Sequence, residues 1–355
     1  MQNIRQDLAE VIGRTQAFHQ SDAPGQALIK IRGIAAHRVP QPKLTDYVFP
    51  QDTHRYLDDC YAAQVAVWKP RLALPDDQIA YLGPWYGIAE HSAFLGGEVS
   101  YAEDTSWHHQ LMDDPGELDK ISLDENNDIY RMVVGGIAYI KERYGDTFLP
   151  RVRGISGPLD VINMLRGNDF FYDLMDEPEA VDALLERCTD LIIEYYNRQL
   201  DAAGLVMGGS LTGFGEWLPG RSVGHMSEDA TTMLSVAQFE RFGRPYTARI
   251  CQAFDHAMMH THALGERCLP SIASIPHLTL MEISNDPNAD RAIEVYRRTK
   301  DNLSGVVPIL PLNAQEIRDH LELLKQIKSV LWYEAQTLEE AQEICAFVRR
   351  ELPVT

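Results

Sequence analysis

The chain has 355 residues, of which 45% are hydrophobic and 24% are charged, so it is long enough to bury a large core. Its formal net charge of -20 at pH 7 argues against nucleic acids and anionic membranes as partners and favours small-molecule ligands. No apolar run approaches the roughly 18 residues of a membrane span, and the N-terminal residues contain no apolar signal core. The five cysteines are scattered and form no Cys-x-x-Cys pair, which is typical of reduced thiols. We therefore expect a cytoplasmic protein.

The N-terminal half begins with a helical extension and then alternates strands with helices. Residues 4–19 place their apolar side chains on one stripe, and a Pro-Gly pair at residues 24–25 ends the extension by residue 26. Apolar runs predict strands at residues 27–36, 78–83 and 149–155, and helices at 52–71, 90–97 and 127–144.

The C-terminal half continues this alternation around one long irregular passage. A fourth strand is predicted at residues 204–209, and a loop that reaches Asp229 follows it; loops of this length are usually functional. Further strands are predicted at 257–262, 278–283, 306–310 and 330–334, and helices at 179–203, 234–256, 290–301, 314–325 and 338–352. Eight strands without a Gly-x-Gly-x-x-Gly turn predict an α/β fold, a (β/α)8 TIM barrel. We expect one domain over residues 1–355, with residues 1–26 as the helical extension.

Two histidines at the end of the fifth predicted strand are the main functional candidates. Because side chains alternate along a strand, His260 and His262 point to the same face, where they can hold a metal ion or flank a polar ligand. The alternative is a pair of core histidines that hydrogen-bond to backbone carbonyls. In a TIM barrel the reactive residues lie at the carboxyl ends of the strands, where Glu282 and Glu334 are also predicted.

Several motifs of the second half resemble the uroporphyrinogen decarboxylase superfamily. They are residues 157–160 (GPLD), 165–167 (LRG), 174–181 (LMDEPEAV) before a long helix, 228–229 (ED) and 234–242 (LSVAQFERF). Val236 stands where the family's helix start has proline. The resemblance implies a TIM barrel and, by analogy with the family's decarboxylases, a homodimer.

The family holds two chemistries, and the resemblance favours one of them. Members that decarboxylate uroporphyrinogen carry an aspartate at the end of the second strand, where this chain has Leu-Gly-Pro-Trp at residues 82–85. The other branch contains methyltransferases that work with corrinoid proteins and bind zinc through a His-x-Cys pair and a later cysteine. His260-Thr261-His262 is similar to that pair, and Glu334 lies nearest the later cysteine. The resemblance therefore implies zinc, or another divalent metal, on His260, His262 and Glu334, with Cys268 as the competing third ligand.

The remaining candidates each have a structural alternative. Asp229 is a general base or an acceptor that orients a ligating histidine, or else it caps the following helix. Glu282 is a catalytic acid or base, or else a salt-bridge partner, and Arg221 is a clamp for an anionic substrate group or a solvated loop residue. The aromatic residues predicted to line the substrate pocket, unless they are core residues, are Trp85, Tyr86 and Trp217.

Three functions follow as hypotheses. The first is a metal-dependent methyltransferase that moves a methyl group between a small substrate and a corrinoid cofactor or corrinoid protein. The second is a metal-dependent decarboxylase or lyase of a small carboxylated compound. The third is a non-catalytic binding protein with a barrel fold.

Overall fold

The computed structural model describes residues 8–83, 85–303 and 305–355, so the first residues of the predicted N-terminal helix and Pro84 lie outside the described part. The strands are β1 Gln26–Ile34, β2 Tyr81–Leu82, β3 Val99–Tyr101, β4 Ser106–His108, β5 Leu149–Pro150, β6 Gly209–Leu211, β7 Trp217–Pro219, β8 Val223–His225, β9 Ala257–His262, β10 Leu278–Ser284, β11 Val307–Pro311 and β12 Lys328–Ala335. The helices are α1 Leu8–Gln20, α2 Thr53–Trp68, α3 Asp128–Tyr130, α4 Gly136–Tyr144, α5 Pro158–Arg166, α6 Phe170–Asp176, α7 Pro178–Ala203, α8 Val236–Gln238, α9 Arg244–Gln252, α10 Leu269–Ala273, α11 Ala292–Thr299, α12 Ala314–Asp319, α13 Leu321–Leu324 and α14 Leu338–Glu351.

The strands curl into a TIM-barrel-like wall, as the sequence predicts. Six parallel strands hydrogen-bond in the order β1-β12-β11-β10-β9-β8, and β2 pairs with β5 in parallel. A single backbone hydrogen bond of 2.6 Å, from the amide of Gly157 to the carbonyl of Ser227, links the segment after β5 to the segment after β8. The wall is α/β, with α1 preceding β1 as the predicted helical extension.

Alternation along β1 and β9 explains which side chains enter the barrel. Ala27, Ile29 and Ile31 face the outer helices, whereas Leu28 lies in the interior cluster. That interior cluster consists of Phe18, Leu28, Leu218, Met258, Leu280, Ile309, Val330 and Trp332. Phe18 belongs to α1, so the N-terminal extension packs against the barrel interior. The inward positions nearer the carboxyl ends are polar, and they form the candidate functional site.

Helix α7 is the longest helix of the described residues and forms part of the outer layer. Pro178 occupies its first turn, where a missing amide hydrogen costs nothing, and Gly204 ends it with a φ of 72°, which a residue with a side chain rarely adopts. Its buried face includes Val181, Leu184 and Leu185. Within the described residues, no helix combines the length and hydropathy that a membrane crossing requires.

Two predicted elements are wrong. The fourth barrel strand is β8 rather than residues 204–209, because Val206 bonds back to Gly209 in a tight turn that starts the β6–β7 hairpin. Residues 90–97 do not form a regular helix; they contain the end of one short 3-10 turn, Ile88–His91, and all of a second, Ala93–Leu95, which is followed by Gly96 with a φ of 126°. In both segments glycines or tight turns interrupt the backbone pattern that the apolar residues suggest.

Candidate active site and metal centre

The site lies at the carboxyl end of β9, where three inward positions follow one another. Met258 belongs to the interior cluster, and alternation then turns His260 and His262 to the same side. Both histidines are partly buried, and their ring centroids are 4.8 Å apart. Two imidazoles therefore face the mouth of the barrel together.

Asp229 completes a group of three ligand-type residues. It begins a 3-10 turn, Asp229–Thr232, shortly after β8, the strand beside β9. One ligand atom from each of Asp229, His260 and His262 lies within 4.8 Å of the others. The closest approach is 3.0 Å, between Oδ1 of Asp229 and Nε2 of His262.

Each histidine is held at Nδ1 by a carboxylate from β10 or the loop after it. The parallel register pairs Glu282 with His260, so Nδ1 of His260 hydrogen-bonds to the Glu282 carboxylate. Nδ1 of His262 hydrogen-bonds to Oδ1 of Asp286 at 2.5 Å. Because Nδ1 of each ring faces a carboxylate acceptor, Nε2 of His260 is left for a ligand at the barrel mouth, and Nε2 of His262 faces the Asp229 carboxylate beside it.

The carboxylates also set the charge of the two rings. Burial lowers the pKa of His260, but the hydrogen bond to Glu282 and the negative charges of Glu282 and Asp229 together outweigh burial and leave the pKa above its ordinary value. The hydrogen bond to Asp229 raises the pKa of His262 to about 9, and the bond to Asp286 adds to this effect. Three carboxylates around two imidazoles make the group attractive to a cation.

The turn that carries Asp229 is held in place by Asp160, the aspartate of the GPLD motif. The Asp160 carboxylate accepts hydrogen bonds from the backbone amides of Asp229 at 2.7 Å and Ala230 at 2.8 Å, and from the Ser227 hydroxyl at 3.1 Å. Burial, together with the nearby Asp229 charge, raises the pKa of Asp160 to about 7. Asp160 therefore holds the turn that presents Asp229 to the histidines.

Aromatic rings and two further histidines surround the group. Phe214, at the tip of the β6–β7 hairpin, lies 4.5 Å from the ring of His225 and 5.6 Å from that of His260, centroid to centroid. The His91 ring lies 5.2 Å from the ring of His225. Burial lowers the pKa of His91 to about 3 and that of His225 well below its ordinary value, so both rings are neutral. The irregular passage thus places the Phe214 ring against His225 and His260.

Glu334, the predicted third ligand, is exposed and does not belong to the group of three. It lies in a cavity of about 460 Å³ that Arg32, Asn285 and Trp332 also line. The reason is the strand order, since β12 is three places from β9, whereas the turn carrying Asp229 follows the neighbouring strand. Cys268, the competing ligand, is buried at the end of a 3-10 turn and is not in the group either.

The remaining predicted residues divide between the site and the core. The Trp85 ring lies 6.0 Å from that of His91, which places it beside the site. Tyr86 and Trp217 are core residues: Tyr86 is fully buried, and Trp217 packs in a separate cluster beneath α1. Arg221 precedes β8 at the amino end of the barrel wall and pairs with Asp201 at 3.0 Å, far along the strand from the carboxyl-end site.

The comparisons with known proteins agree with this architecture. The model of the uroporphyrinogen decarboxylase (URO-D) family matches residues 82–215. Over these residues the chain is similar to the uroporphyrinogen decarboxylase family. A methyltransferase from Methanosarcina mazei has a similar fold, with a TM-score of 0.65 over 96% of this chain and 98% of that chain, at 13% sequence identity. No curated protein sequence matches the chain.

The match to the uroporphyrinogen decarboxylase model covers residues that surround the candidate site but not the three ligand-type residues. Residues 82–215 include Asp160, His91 and the hairpin tip with Phe214. The group of Asp229, His260 and His262 follows the matched range. The ligand-type residues therefore lie outside the range that the family model matches.

Sequence reasoning missed Asp286, His91 and the role of Phe214. Asp286 follows β10 by two residues, and the only sequence signal for it was an acidic residue just beyond a barrel strand. His91 had no such signal because it lies in a short 3-10 turn. Glu282 was singled out as an acid or base, and in the structure its carboxylate orients His260.

The donor set of this uroporphyrinogen decarboxylase relative fits a divalent metal. Two imidazole nitrogens and one carboxylate oxygen are the ligands of many catalytic zinc and related sites, which keep further positions for substrate. Carboxylates on the far nitrogens of both histidines are the usual support of such ligands. Asp229, His260 and His262 would hold the ion, and Glu282 and Asp286 would orient the rings.

Proposed function

We propose that the chain is a metal-dependent methyltransferase that moves a methyl group between a small substrate and a corrinoid cofactor or corrinoid protein. The observation that carries the proposal is the group of Asp229, His260 and His262, with both histidines held at Nδ1 by carboxylates. The name of the Methanosarcina mazei protein with the same fold supports methyl transfer over other reactions.

The residues of the site would divide the work as follows. A divalent metal such as zinc supplies Lewis acidity, which lowers the pKa of a thiol or hydroxyl on the methyl acceptor or polarises a substrate oxygen. Glu282 and Asp286 keep the proton of each imidazole on Nδ1. Phe214 and the neutral ring of His225 cover part of the His260 ring, which would strengthen the electrostatic interactions of that ring.

The alternative is a metal-dependent decarboxylase or lyase of a small carboxylated compound. The family model that matches residues 82–215 is that of a decarboxylase, and this match favours the alternative. Gly83 stands at the end of β2, where porphyrinogen decarboxylases carry an aspartate, and this argues against a porphyrinogen as the substrate. A third alternative, a non-catalytic binding protein, needs no metal.

Two measurements separate these functions. Purified protein grown with ample zinc, iron and cobalt is analysed for metal, and we expect about one equivalent per chain. The protein is then incubated with reduced cobalamin and, one at a time, a methylated amine, a methylated thiol and a methyl ether, and methylcobalamin is followed by its absorbance. Methylcobalamin formation supports the methyltransferase. Loss of carbon dioxide from small carboxylic acids without methyl transfer supports the alternative.

Matched variants connect the measured activity to the site. Asp229→Asn keeps the volume of a half-exposed side chain and should lose metal and methyl transfer together, and His260→Ala should do the same. His109→Ala is the control, because His109 is exposed and contacts only Ser100 through its side chain. If no stoichiometric metal is found and Asp229→Asn keeps full activity, the proposal fails.

We make three further proposals, on the partner, the oligomeric state and the location of the protein. A corrinoid protein is the expected partner, and the family's decarboxylases suggest a homodimer, which light scattering tests against the 40.1 kDa chain mass. All five cysteines are free and buried, which agrees with the proposed cytoplasmic location.

A further inference from the structure

The regular sheet of the barrel wall is interrupted between β1 and β2. A backbone hydrogen bond of 2.7 Å, from the amide of Asp77 to the carbonyl of Ile29, and two side chains bridge the gap. The carboxylates of Asp77 and Asp76 accept hydrogen bonds from the backbone amides of Ile29 at 2.8 Å and Ile31 at 3.1 Å. These carboxylates stand where a neighbouring strand would offer carbonyl oxygens. Beyond Ile31 no such bridge continues among the described residues, and a cavity of about 340 Å³ opens at this seam.

The lining of this cavity is basic in a strongly acidic chain. Arg32, His37, Arg38 and Arg71 contribute to it, and none of its lining residues, all of which are described, is acidic. Arg32 and Arg38 form no ion pair with any carboxylate of the described residues; Arg32 instead donates to the carbonyl oxygen of Phe214 at 2.7 Å. At Arg32 and Arg38 the seam therefore carries positive charge that no carboxylate of the described residues neutralises.

Two buried polar atoms in the lining have no hydrogen-bond partner among the described residues. Arg71 is more than nine-tenths buried and uses one terminal nitrogen for Asp76, at 2.8 Å, while its Nε has no hydrogen-bond acceptor. Gln78 is equally buried, and its Oε1 has no donor. A buried polar atom without a hydrogen-bond partner carries a free-energy cost. Such a cost is recovered when a ligand supplies the missing acceptor and donor.

The rest of the lining offers aromatic and aliphatic surfaces that suit a small organic molecule. Trp68 and Tyr81 provide aromatic surfaces, and Ile34 and Val67 add aliphatic ones. Gly33 leaves the space open, since a Cβ placed there would meet no atom within 4 Å. Pockets of this size with a few convergent polar groups are typical of small-molecule sites.

We propose that the seam between β1 and β2 is a binding site for a small organic anion, in which a carboxylate or phosphate group pairs with Arg71 and Arg38 and a ring or short apolar body packs on Trp68. A donor group of the ligand meets Oε1 of Gln78. The site does not depend on the proposed methyl transfer. Arg32 also lines the cavity beside Glu334, so the two cavities are neighbours.

The test uses benzoate, phenyl phosphate, inorganic phosphate and the neutral analogue benzamide as probes in isothermal titration calorimetry on the full-length chain. We expect saturable binding of benzoate or phenyl phosphate and none of benzamide. Benzoate alone identifies a carboxylate ligand, and phenyl phosphate alone identifies a phosphate ester. Absence of saturable binding for all three anions, or equal binding of benzamide, overturns the proposal.

Variants locate the binding. Arg38→Gln removes an exposed charge without breaking an ion pair and should weaken binding about tenfold. Gly33→Ala and Gly33→Leu fill the cavity in steps and should abolish binding by the second step. Arg187→Gln is the charge control, because Arg187 is exposed and lies on α7. Binding that survives Gly33→Leu and Arg38→Gln unchanged refutes the site. His260→Ala should leave binding intact, so a failed metal site and a failed anion site give different results.

Discussion

Replacing Glu282 by Gln tests the support of the candidate metal centre with almost no change in volume. The Glu282 side chain is 4% exposed, and its carboxylate accepts the hydrogen bond from Nδ1 of His260. The negative charge keeps the ring proton on Nδ1 and thereby leaves the lone pair of Nε2 for a metal. Glutamine keeps the shape and removes the charge.

The size of the effect follows from the hydrogen bond that is changed. A hydrogen bond to a charged group contributes about 1.5–3 kcal/mol and a neutral one about 0.5–1.5 kcal/mol, so the loss is about 1–1.5 kcal/mol. This corresponds to roughly tenfold weaker metal binding. If the amide turns its NH2 toward Nδ1, the ring proton moves to Nε2, and the loss approaches 100-fold, the upper end for such supporting residues.

Competition with a chromophoric zinc chelator measures the dissociation constants of the wild type, Glu282→Gln and Asp286→Asn. Both variants should bind zinc about 10–100-fold more weakly than the wild type. Glu334→Gln is the matched control, since it makes the same chemical change on an exposed carboxylate outside the group, and its affinity should stay within about twofold of wild type. Unchanged affinity in Glu282→Gln, or a large loss in Glu334→Gln, would show that the metal lies elsewhere.

Three further predictions concern stability. Lys30→Met leaves the buried carboxylate of Glu216 without its ion-pair partner at 2.6 Å, so urea titrations should show a free energy of unfolding that is lower by about 3–5 kcal/mol. The double variant Lys30→Met with Glu216→Leu should recover most of this loss, because it leaves no buried charge unpaired. Burial lowers the pKa of His19 to about 3, below its unfolded value, so the stability it contributes is complete above pH 6.5 and falls as the pH decreases. Between pH 6.5 and 5, the free energy of unfolding of His19→Gln should therefore fall by up to about 2 kcal/mol less than that of the wild type. The free energy of unfolding of His109→Gln should fall as much as that of the wild type. Asp77→Ala removes a buried carboxylate that accepts the backbone amide of Ile29 and pairs with Arg14 at 2.8 Å. It should lower the free energy of unfolding by about 3–5 kcal/mol in the same titrations.

The sequence predicted the second half of the barrel wall closely because its strands carry long apolar runs. The predicted strand at residues 257–262 coincides with Ala257–His262, and the next three differ from the structure by at most two residues at each end. Each of these strands alternates outer-core and interior side chains, so its periodicity is visible without tertiary information. The placement of both histidines on one face followed from the same alternation.

The fourth strand could not be found because it carries no such signal. Val223–His225 is three residues long, and its central glycine lies so close to Met258 that an added Cβ would be 2.9 Å from the Cβ of Met258. The apolar run at residues 204–209 was a stronger pattern, but it forms the turn before a hairpin. Local hydrophobicity therefore pointed to the wrong segment.

Asp229 joins His260 and His262 because its strand lies next to theirs in the barrel, and the order of residues along the chain does not reveal this. Glu334 ends the last strand, and by resemblance it took the place of the family's final ligand; Asp229 follows the strand that adjoins β9. The partners of the histidines have the same origin, because the register sets Glu282 beside His260 and Ser284 beside His262, and the loop then returns Asp286 to the second ring. Register is set by the hydrophobic patterns of both paired strands and by the connection between them, so the sequence of a single strand does not contain it. The chemistry of this site is therefore a property of three adjacent strand ends, each of which looks ordinary alone.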